Sequence, residues 1–239
     1  MKQLLLLALM VMSLAGQNIQ HTRRYTIKGG RMAEFETIIK DLNALYKKAG
    51  VPSATLVFQS VTGPEQVFVT RYYEKILQAL ANRGDAFKGP HEAEYRALNM
   101  RLMDTVAARE TRVAERDAEL SLPRPAVISP YIRVIKTQVK QGKVAEVKAL
   151  IREWVDGGIK PGGIKVYTLT QTRMGGPATE LVSVTGVNAL AELDELAPRK
   201  VMGEAKYNAW VAKRDAVITS SEVNLLRFRP ELSSWTAPK

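Results

Sequence analysis

The chain has 239 residues, of which 46% are hydrophobic and 25% are charged, a composition typical of a folded globular protein rather than a disordered one. It contains no cysteine, which excludes disulfides, thiolate nucleophiles, cysteine-based zinc sites and a lipid anchor on cysteine. Its only histidines are His21 and His91, too few for a histidine-rich metal site. We therefore predict neither a bound metal nor a cofactor.

The net charge of +11 makes the protein basic, and basic patches attract nucleic acids or anionic polymers. The cations are dispersed among acids, as in the nearly balanced stretch 92–119, and no run of Arg or Lys is interleaved with aromatic residues. Charge of this kind carries no readout of a base sequence. We interpret it as favouring solubility and weak attraction to anionic surfaces rather than specific nucleic-acid binding.

The N-terminus has the residue order of a secretory signal peptide. Lys2 precedes an apolar run over 4–12, and small residues follow at 13–16. We predict that residues 1–15 are a signal peptide cleaved after Ala15, and that the mature protein is exported to a periplasm or secreted. The apolar run is shorter than the roughly 20 residues that cross a bilayer, and no later segment qualifies, so we do not expect an integral membrane protein.

The rest of the chain repeats itself at an offset of 112 residues, which is the sign of a duplicated unit. The matching segments are 30–35 with 142–147, 92–95 with 204–207, and 119–121 with 231–233. We predict a first repeat over 19–122, a proline-containing linker over 123–130, a second repeat over 131–233 and a tail over 234–239.

In chain order, each copy begins with an alternating strand, at 19–28 and 131–140, followed by a helix with one apolar stripe that starts near Met32 and Val144. Two strands around a glycine-containing turn come next, predicted at 54–61 and 66–73, and at 164–172 and 180–185. A second helical region follows, predicted at 91–108 and 203–218.

The last element of each copy is predicted from the repeat. Residues 221–229 have the pattern of a strand, whereas the matching residues 109–117 favour a helix on propensity alone. Propensity is a weak prior that tertiary context overrides, so we predict a strand in both copies. The order is then β-α-β-β-α-β, the ferredoxin-like motif, in an α+β fold.

Tyr25–Lys28 leading into Gly30–Phe35, the short hairpin, and the closing segment Arg227–Ser233 together resemble the dimeric α/β-barrel superfamily. This superfamily includes the NIPSNAP, stress-responsive barrel and antibiotic-biosynthesis monooxygenase-like families, and the chain looks most like the NIPSNAP family. The resemblance implies that two ferredoxin-like units pair their sheets across a dimer. Here the two fused repeats would pair within one chain, giving an intrachain dimeric α/β barrel and a monomer, with further oligomerisation left open.

The sequence contains no P-loop, Rossmann glycine fingerprint, G-x-S-x-G or H-E-x-x-H motif. The candidate ligand-binding residues are instead polar residues on the first strand of each copy. If the alternating face points into the barrel, His21, Arg23, Tyr25 and Arg133 would hold an anionic or polar ligand through forked guanidinium donors. The alternative is an ordinary polar strand face without a ligand.

A second candidate pair is Gln59 and Gln171, which occupy equivalent positions and would orient a carbonyl or hydroxyl ligand if both faced one pocket. Duplication alone also explains a retained glutamine. His91, near the start of a helix, is interpreted as a surface residue rather than a general base. The aromatic residues Trp154, Trp210, Tyr95 and Tyr207 are predicted to belong to the core rather than to a ligand platform.

Three functions remain open. The leading hypothesis is an exported protein that binds a small, partly apolar ligand between the two barrel halves. The first alternative is a cofactor-independent monooxygenase-like or isomerase-like enzyme, which predicts a buried His or Arg facing a cavity between the two repeats. The second alternative is a basic interaction module for envelope polymers, which predicts salt-sensitive binding.

Overall fold

The computed structural model describes residues 18–50, 55–73, 87, 89–123, 127–194 and 197–234. The predicted signal peptide lies outside this described part, as do residues 124–126 of the predicted linker and residues 235–239 of the tail. None of the helices in the described residues is long and apolar enough to span a membrane.

The described part of the first repeat folds in the predicted order. Its elements are β1 (Ile19–Ile27), α1 (Met32–Lys48), β2 (Thr55–Ser60), β3 (Gln66–Tyr73), α2 (Glu92–Asp104) and β4 (Val106–Asp117).

The second repeat has these elements in the same order, and short helices are also described between its third strand and its last helix. Its elements are β5 (Tyr131–Val139), α3 (Val144–Trp154), β6 (Val166–Met174), β7 (Glu180–Val187), α4 (Ala191–Asp194), α5 (Ala197–Met202), α6 (Glu204–Val217) and β8 (Ile218–Phe228). A π-helical turn (Val155–Ile159) extends α3, and a 3-10 turn (Pro230–Leu232) follows β8. The short helices α4 and α5 were not predicted, because they interrupt a connection that has no long apolar period.

The eight strands are hydrogen-bonded in the order β1-β3-β2-β8-β5-β7-β6-β4 and form a closed barrel. The predicted α+β class is therefore confirmed, with two ferredoxin-like repeats in one intrachain barrel. Closure leaves no sheet edge unpaired, which removes a route to aggregation.

The strand β4 confirms a prediction that was made from the repeat alone. It runs as a strand from Val106 to Asp117, although its many Ala, Arg and Glu residues favour a helix. It begins and ends at positions that match those of β8 to within one residue. The duplicated pattern was therefore a better guide to this segment than its own propensity.

The turn of the second hairpin has two more residues than the turn of the first. Ile19 of β1 pairs with Tyr73 of β3, whereas Tyr131, which matches Ile19, pairs with Val187 of β7. The offset between β3 and β7 is therefore 114 rather than 112, and it returns to 112 at the following helix. The turn of the second hairpin is longer, and the connection after it is shorter by the same amount.

The chain forms two compact units whose division falls inside β4 and β8. Unit 1 comprises the described residues up to Val113 together with those from Phe228 onward, and unit 2 comprises Ala114–Arg227. Each unit has its own apolar core between its helices and its sheet. In unit 1, Phe35 and Ile38 of α1 pack on Tyr25, Val57 and Val69 of the strands.

In unit 2, Val147 and Leu150 of α3 and Trp210 of α6 pack on Leu169 and Leu181. Each large apolar side chain buried in this way contributes about 1.5–3 kcal/mol. The packing explains why both helices of each repeat carry a single apolar stripe.

Each repeat finishes in a short end segment, residues 117–122 in the first and 229–234 in the second. Leu120 lies in the core of unit 2, and Leu232 lies in the core of unit 1. Each unit is therefore completed by the end segment of the other repeat.

The two end segments are held in the same way. Ser121 Oγ accepts a hydrogen bond from Leu169 N at 2.9 Å and donates to Asp117 O at 2.6 Å. Ser233 Oγ accepts from Val57 N at 3.0 Å and donates to Arg229 O at 2.8 Å. The Glu-Leu-Ser match seen in the sequence is thus a buried leucine followed by a serine that satisfies a strand N–H.

The end segments are also fixed by ion pairs of opposite polarity. In unit 1, Arg229 of the end segment pairs with Glu36 of α1 at 2.6 Å. In unit 2, Asp117 pairs with Lys148 of α3 at 2.9 Å. The four residues occupy two matching pairs of positions, so the acid and the base have changed places between the units.

Gly30 and Gly142 occupy the turn between the first strand and first helix of each repeat, with φ of 73° and 75°. Side chains other than glycine are strained there by about 1–2 kcal/mol. We expect Gly30→Val and Gly142→Val each to lower the free energy of unfolding by at least that amount in chemical denaturation. Gly29→Gln is the matched control, because φ at Gly29 is not left-handed, its Cβ would meet open space, and the second repeat has Gln141 there. An equal loss in the control would contradict the backbone explanation.

The pKa of Asp117 predicts a contribution to acid stability. Burial acts to raise this pKa, but the ion pair with Lys148 and a hydrogen bond from the backbone N–H of Leu120 outweigh it, so the pKa lies below its ordinary value. The stabilisation is present above the unfolded pKa of about 3.9 and is lost as the pH falls through the lowered folded value. We expect Asp117→Asn to unfold about 1 kcal/mol more easily at pH 7. Denaturation at a series of pH values should show this difference shrinking below about pH 4; a constant difference would refute the electrostatic origin.

Candidate functional site

The face of β1 that carries the predicted site residues points toward the helices of unit 1. His21, Arg23 and Tyr25 alternate with half-buried residues and are themselves buried. The ring of Tyr25 meets the ring of Phe35 on α1 edge-on, with centroids 5.5 Å apart. The condition that this face points into the barrel is therefore not met, and any ligand of these residues would lie between sheet and helices.

Two buried guanidinium groups form the centre of this region. Arg23 of β1 and Arg71 of β3 are each only 8% exposed. Arg23 Nη1 donates to the hydroxyl of Tyr25 at 3.3 Å, and Arg71 Nε donates to Thr55 Oγ1 at 3.1 Å. The Cζ atom of Arg71 lies 4.7 Å from the ring centroid of Tyr46, a cation–π contact. We call Arg23, Arg71, Tyr25, Tyr46 and Tyr95 the guanidinium cluster.

No carboxylate among the described residues pairs with Arg23 or Arg71, and the buried Nε of Arg23 has no hydrogen-bond partner. Burial acts to lower the pKa of Arg23, but the neighbouring Tyr25 reverses the effect, with smaller contributions from Tyr46 and Tyr95, and the pKa is raised. The group is therefore a cation at any physiological pH. Burying a cation without a counter-ion costs several kcal/mol.

Aromatic rings enclose the cluster on the helix side. Tyr46 and Tyr95 meet edge-on at 6.5 Å, and Phe87 stacks on Tyr95 at 4.1 Å. Burial raises the pKa of Tyr95, Tyr46 adds to the increase, and Arg23 opposes it. The Tyr95 hydroxyl is therefore neutral at pH 7, and it forms hydrogen bonds with the side chains of Tyr46 and Asn99. Tyr95 packs against the core of unit 1, as predicted from the sequence.

Arg71 is the main residue that sequence reasoning missed. It lies directly opposite His21 in the β1–β3 register and opposite Thr55 in the β2–β3 register. Its side chain therefore shares the buried face of β1. The signal was a lone arginine at an inward position of an otherwise apolar hairpin strand, which charged residues rarely occupy without a reason. His21 is 2% exposed and meets the ring of Tyr73 edge-on at 6.4 Å.

Gln59 and Gln171 each make a hydrogen bond within their own unit. Gln59 Oε1 accepts from Arg229 Nη1 of the end segment, and Gln171 Nε2 donates to Ala178 O at 2.9 Å. Both amides thus have structural partners, and their joint contact with a ligand stays a prediction.

Arg133 lies in unit 2, and its buried Nε has no hydrogen-bond partner. His91 is the N-cap residue of α2 but makes no capping hydrogen bond through its side chain. In the described part of the chain, no three His, Asp or Glu residues come together as a metal-binding group.

The fold is a dimeric α/β barrel within one chain, as the sequence resemblance implied. No protein-family model matches the sequence, and no curated protein matches it significantly. Solved structures match at the level of fold. A "putative monooxygenase" from Lactobacillus acidophilus has a TM-score of 0.61 and 10% identity, covering 89% of this chain and 94% of that one.

An anthrone oxidase-like protein has a TM-score of 0.58 and 11% identity, covering 89% of this chain and 92% of that one. A mutant chlorite dismutase from Candidatus Nitrospira defluvii has a TM-score of 0.55 and 9% identity, covering 90% and 93%. A NIPSNAP family protein from Agrobacterium tumefaciens matches 42% of this chain and 86% of its own, at 22% identity and a TM-score of 0.36.

Proposed function

We propose that this protein binds a small molecule that carries an anionic or readily ionised group, at the guanidinium cluster of unit 1. The observation that supports this most is that two buried guanidiniums have no carboxylate partner within the described part of the chain. Proteins keep buried charges paired because an unpaired one is costly, so two cations without a described counter-ion are a reason to expect a bound anion. A ligand oxygen would accept from the free Nε of Arg23 and from the outer nitrogens of Arg71.

The body of the ligand is partly apolar. Phe87, Tyr46 and Tyr95 line the helix side of the cluster, and Val69 belongs to the same core on the sheet side. These walls favour an aromatic or aliphatic group attached to the anionic one, since polar surface there would lose its hydration without a partner. A ligand that is ionised at one end and apolar at the other fits both features.

Export is part of the same proposal. The order of Lys2, the apolar run 4–12 and the small residues at 13–16 supports a cleaved signal peptide. Binding would then take place in a periplasm or outside the cell. Determining the N-terminal residue of protein recovered from its producing cells tests this: Gly16 supports cleavage after Ala15, whereas an intact Met1 opposes it.

Native mass spectrometry of protein purified from its own compartment, beside a denatured sample, tests the ligand proposal. We expect an extra mass that is lost on denaturation and is absent from an Arg23→Met, Arg71→Met variant. Arg24→Met is the matched control, because Arg24 is the next residue on the strand, lies on its other face and pairs with Glu110 at 2.5 Å. An extra mass that persists in the double variant would place the ligand elsewhere.

A second candidate function is oxygenation without a cofactor. Arg23 and Arg71 are buried, and one protein with the same fold is named anthrone oxidase-like. The two guanidiniums would stabilise the enolate formed when an anthrone loses a proton. That carbanion supplies the electrons to dioxygen: one oxygen atom becomes the new ketone oxygen, the other leaves as water, and anthrone plus O₂ gives anthraquinone plus water.

Oxygen consumption with anthrone separates the two candidates. Turnover by the wild-type chain that is lost in Arg23→Met and kept in Arg24→Met supports the oxygenase. Tight binding of an anion with no oxygen uptake supports a binding protein.

A further inference from the structure

Unit 2 has a half-buried cation of its own, Arg133, and its surroundings differ from those of the guanidinium cluster. Arg133 lies on β5 at the position that matches His21. Ile135 lies at the position that matches Arg23. Thr185 of β7 pairs with Arg133 and lies at the position that matches Arg71. Unit 2 therefore has one guanidinium where unit 1 has two.

Arg133 has no anionic partner among the described residues, and its Nε is buried without a hydrogen bond. Burial lowers its pKa, which Tyr207 and then Tyr167 oppose in part. Tyr167 of β6 and Arg133 of β5 both lie opposite Thr185 of β7, and Tyr207 lies on α6. Buried donors in folded proteins are nearly always satisfied, so a free guanidinium nitrogen calls for an acceptor from outside the chain.

Two helix positions of unit 2 carry aromatic side chains where unit 1 has aliphatic ones. Trp154 of α3 and Trp210 of α6 occupy the positions of Leu42 and Leu98. Their rings stack with centroids 4.9 Å apart, and Trp154 lies 6.1 Å from Tyr207. The indole N–H of Trp210 donates to Leu150 O at 2.8 Å, which fixes that ring as part of the core. Trp154 and Tyr207 are only half-buried, so each keeps surface for another molecule.

The helix also changes form at this point. Directly after Trp154 it widens into the π-helical turn, in which Lys160 N bonds to Val155 O, whereas α1 continues regularly through the matching residues to Lys48. Single π-helical turns inside helices are frequent at functional sites. This local change is confined to the repeat that acquired the tryptophans.

From these observations we infer that unit 2 contains a second site, for a planar aromatic carboxylate. The carboxylate accepts hydrogen bonds from Arg133, and the ring lies against Trp154 and Tyr207. One guanidinium suits a single negative charge, and flat rings suit a flat ligand. The two repeats would then bind different molecules, and this site does not depend on the ligand of unit 1.

Fluorine NMR of protein labelled with 5-fluorotryptophan tests the site with benzoate as the probe. The chain has three tryptophans, Trp154, Trp210 and Trp235, and replacing each with Phe assigns the signals. We expect benzoate to shift the Trp154 signal, and Arg133→Met to weaken binding at least tenfold. The variant should fold, because it replaces a half-buried guanidinium, which has no described ion-pair partner, with an apolar chain of similar length.

Three controls keep the outcome decisive. Arg214→Met should leave benzoate affinity unchanged, because Arg214 lies over the outer ring surface of Trp210 and pairs with Asp215. Cyclohexanecarboxylate, which has the same charge but no flat ring, should bind more weakly. In the Arg23→Met variant, benzoate should still shift the Trp154 signal. The unit 2 site is thereby tested independently of the unit 1 site. A wild-type Trp154 signal that benzoate does not move, or a shift that survives Arg133→Met, overturns the inference.

Discussion

Exchanging the charges of Glu36 and Lys148, in a Glu36→Lys, Lys148→Glu variant, is expected to lower the melting temperature by roughly 5–15 °C. Each substitution sets like charges against each other, Lys against Arg229 in unit 1 and Glu against Asp117 in unit 2. Contacting charges of this kind couple by about 0.5–3 kcal/mol, so the pair of sites should lose about 2–4 kcal/mol in total. In a chain of this size, 1 kcal/mol shifts the midpoint by about 2–4 °C.

The quadruple variant that also carries Asp117→Arg and Arg229→Asp should recover most of the loss, because both pairs are then restored with reversed polarity. The charges would also favour docking on the other repeat, because an end segment docked on its own repeat would place Asp117 against Glu36 and Arg229 against Lys148. Calorimetry of the two variants measures the recovery. If the quadruple variant melts at the same temperature as the double variant, the charges do not determine which repeat each end segment docks on.

Glu34 and Glu146 provide the matched control for this experiment. They pair with Arg31 and Lys143 three residues earlier on their helices, with the same polarity in both repeats and with exposed side chains. Reversing both to Lys should cost less than about 1 kcal/mol per site. It should also leave the exchange of the end segments unaffected.

Replacing Arg23 with Met is expected to stabilise the ligand-free protein by about 1–3 kcal/mol while removing its affinity for an anion. The guanidinium is buried, pairs with no carboxylate of the described ranges and has one nitrogen without a partner, so the fold bears the cost of its desolvation. Methionine has similar length and no charge. Thermal melts give the first effect, and calorimetric titration with phenyl phosphate, an ionised group on a flat ring, gives the second.

The opposite signs of the two effects distinguish a binding residue from a structural one. An arginine needed only for folding would lower the melting temperature when removed. Arg24→Met, on the other face of β1, should change neither quantity by much, since Arg24 takes part in a largely exposed ion pair. A destabilised Arg23→Met protein would show that the cluster serves the fold.

The duplication made most of the fold predictable. β4 illustrates this, because its own residues favour a helix and only the match to β8 indicated a strand. The two-residue shift between β3 and β7 was not predictable, because a longer turn and a shorter connection cancel in the sequence and only the strand pairing reveals them.

The candidate site was predicted only in part. Alternation on β1 identified His21, Arg23 and Tyr25 as one face, which the burial pattern bears out. Which side of the sheet that face covers depends on where α1 packs, and one strand cannot encode that. Arg71 and Tyr46 join the cluster through strand register and helix packing, both of which bring together residues far apart in the chain.

The exchange of the end segments sets an order on the making of the molecule. Unit 1 needs Leu232 in its core and Ser233 on its β2 strand, and both residues come after the whole of unit 2 in the chain. Unit 2 is made from one continuous stretch, Ala114–Arg227. As the chain emerges from its N-terminus onward, we therefore expect all the parts of unit 2 to be present before unit 1 receives Leu232 and Ser233.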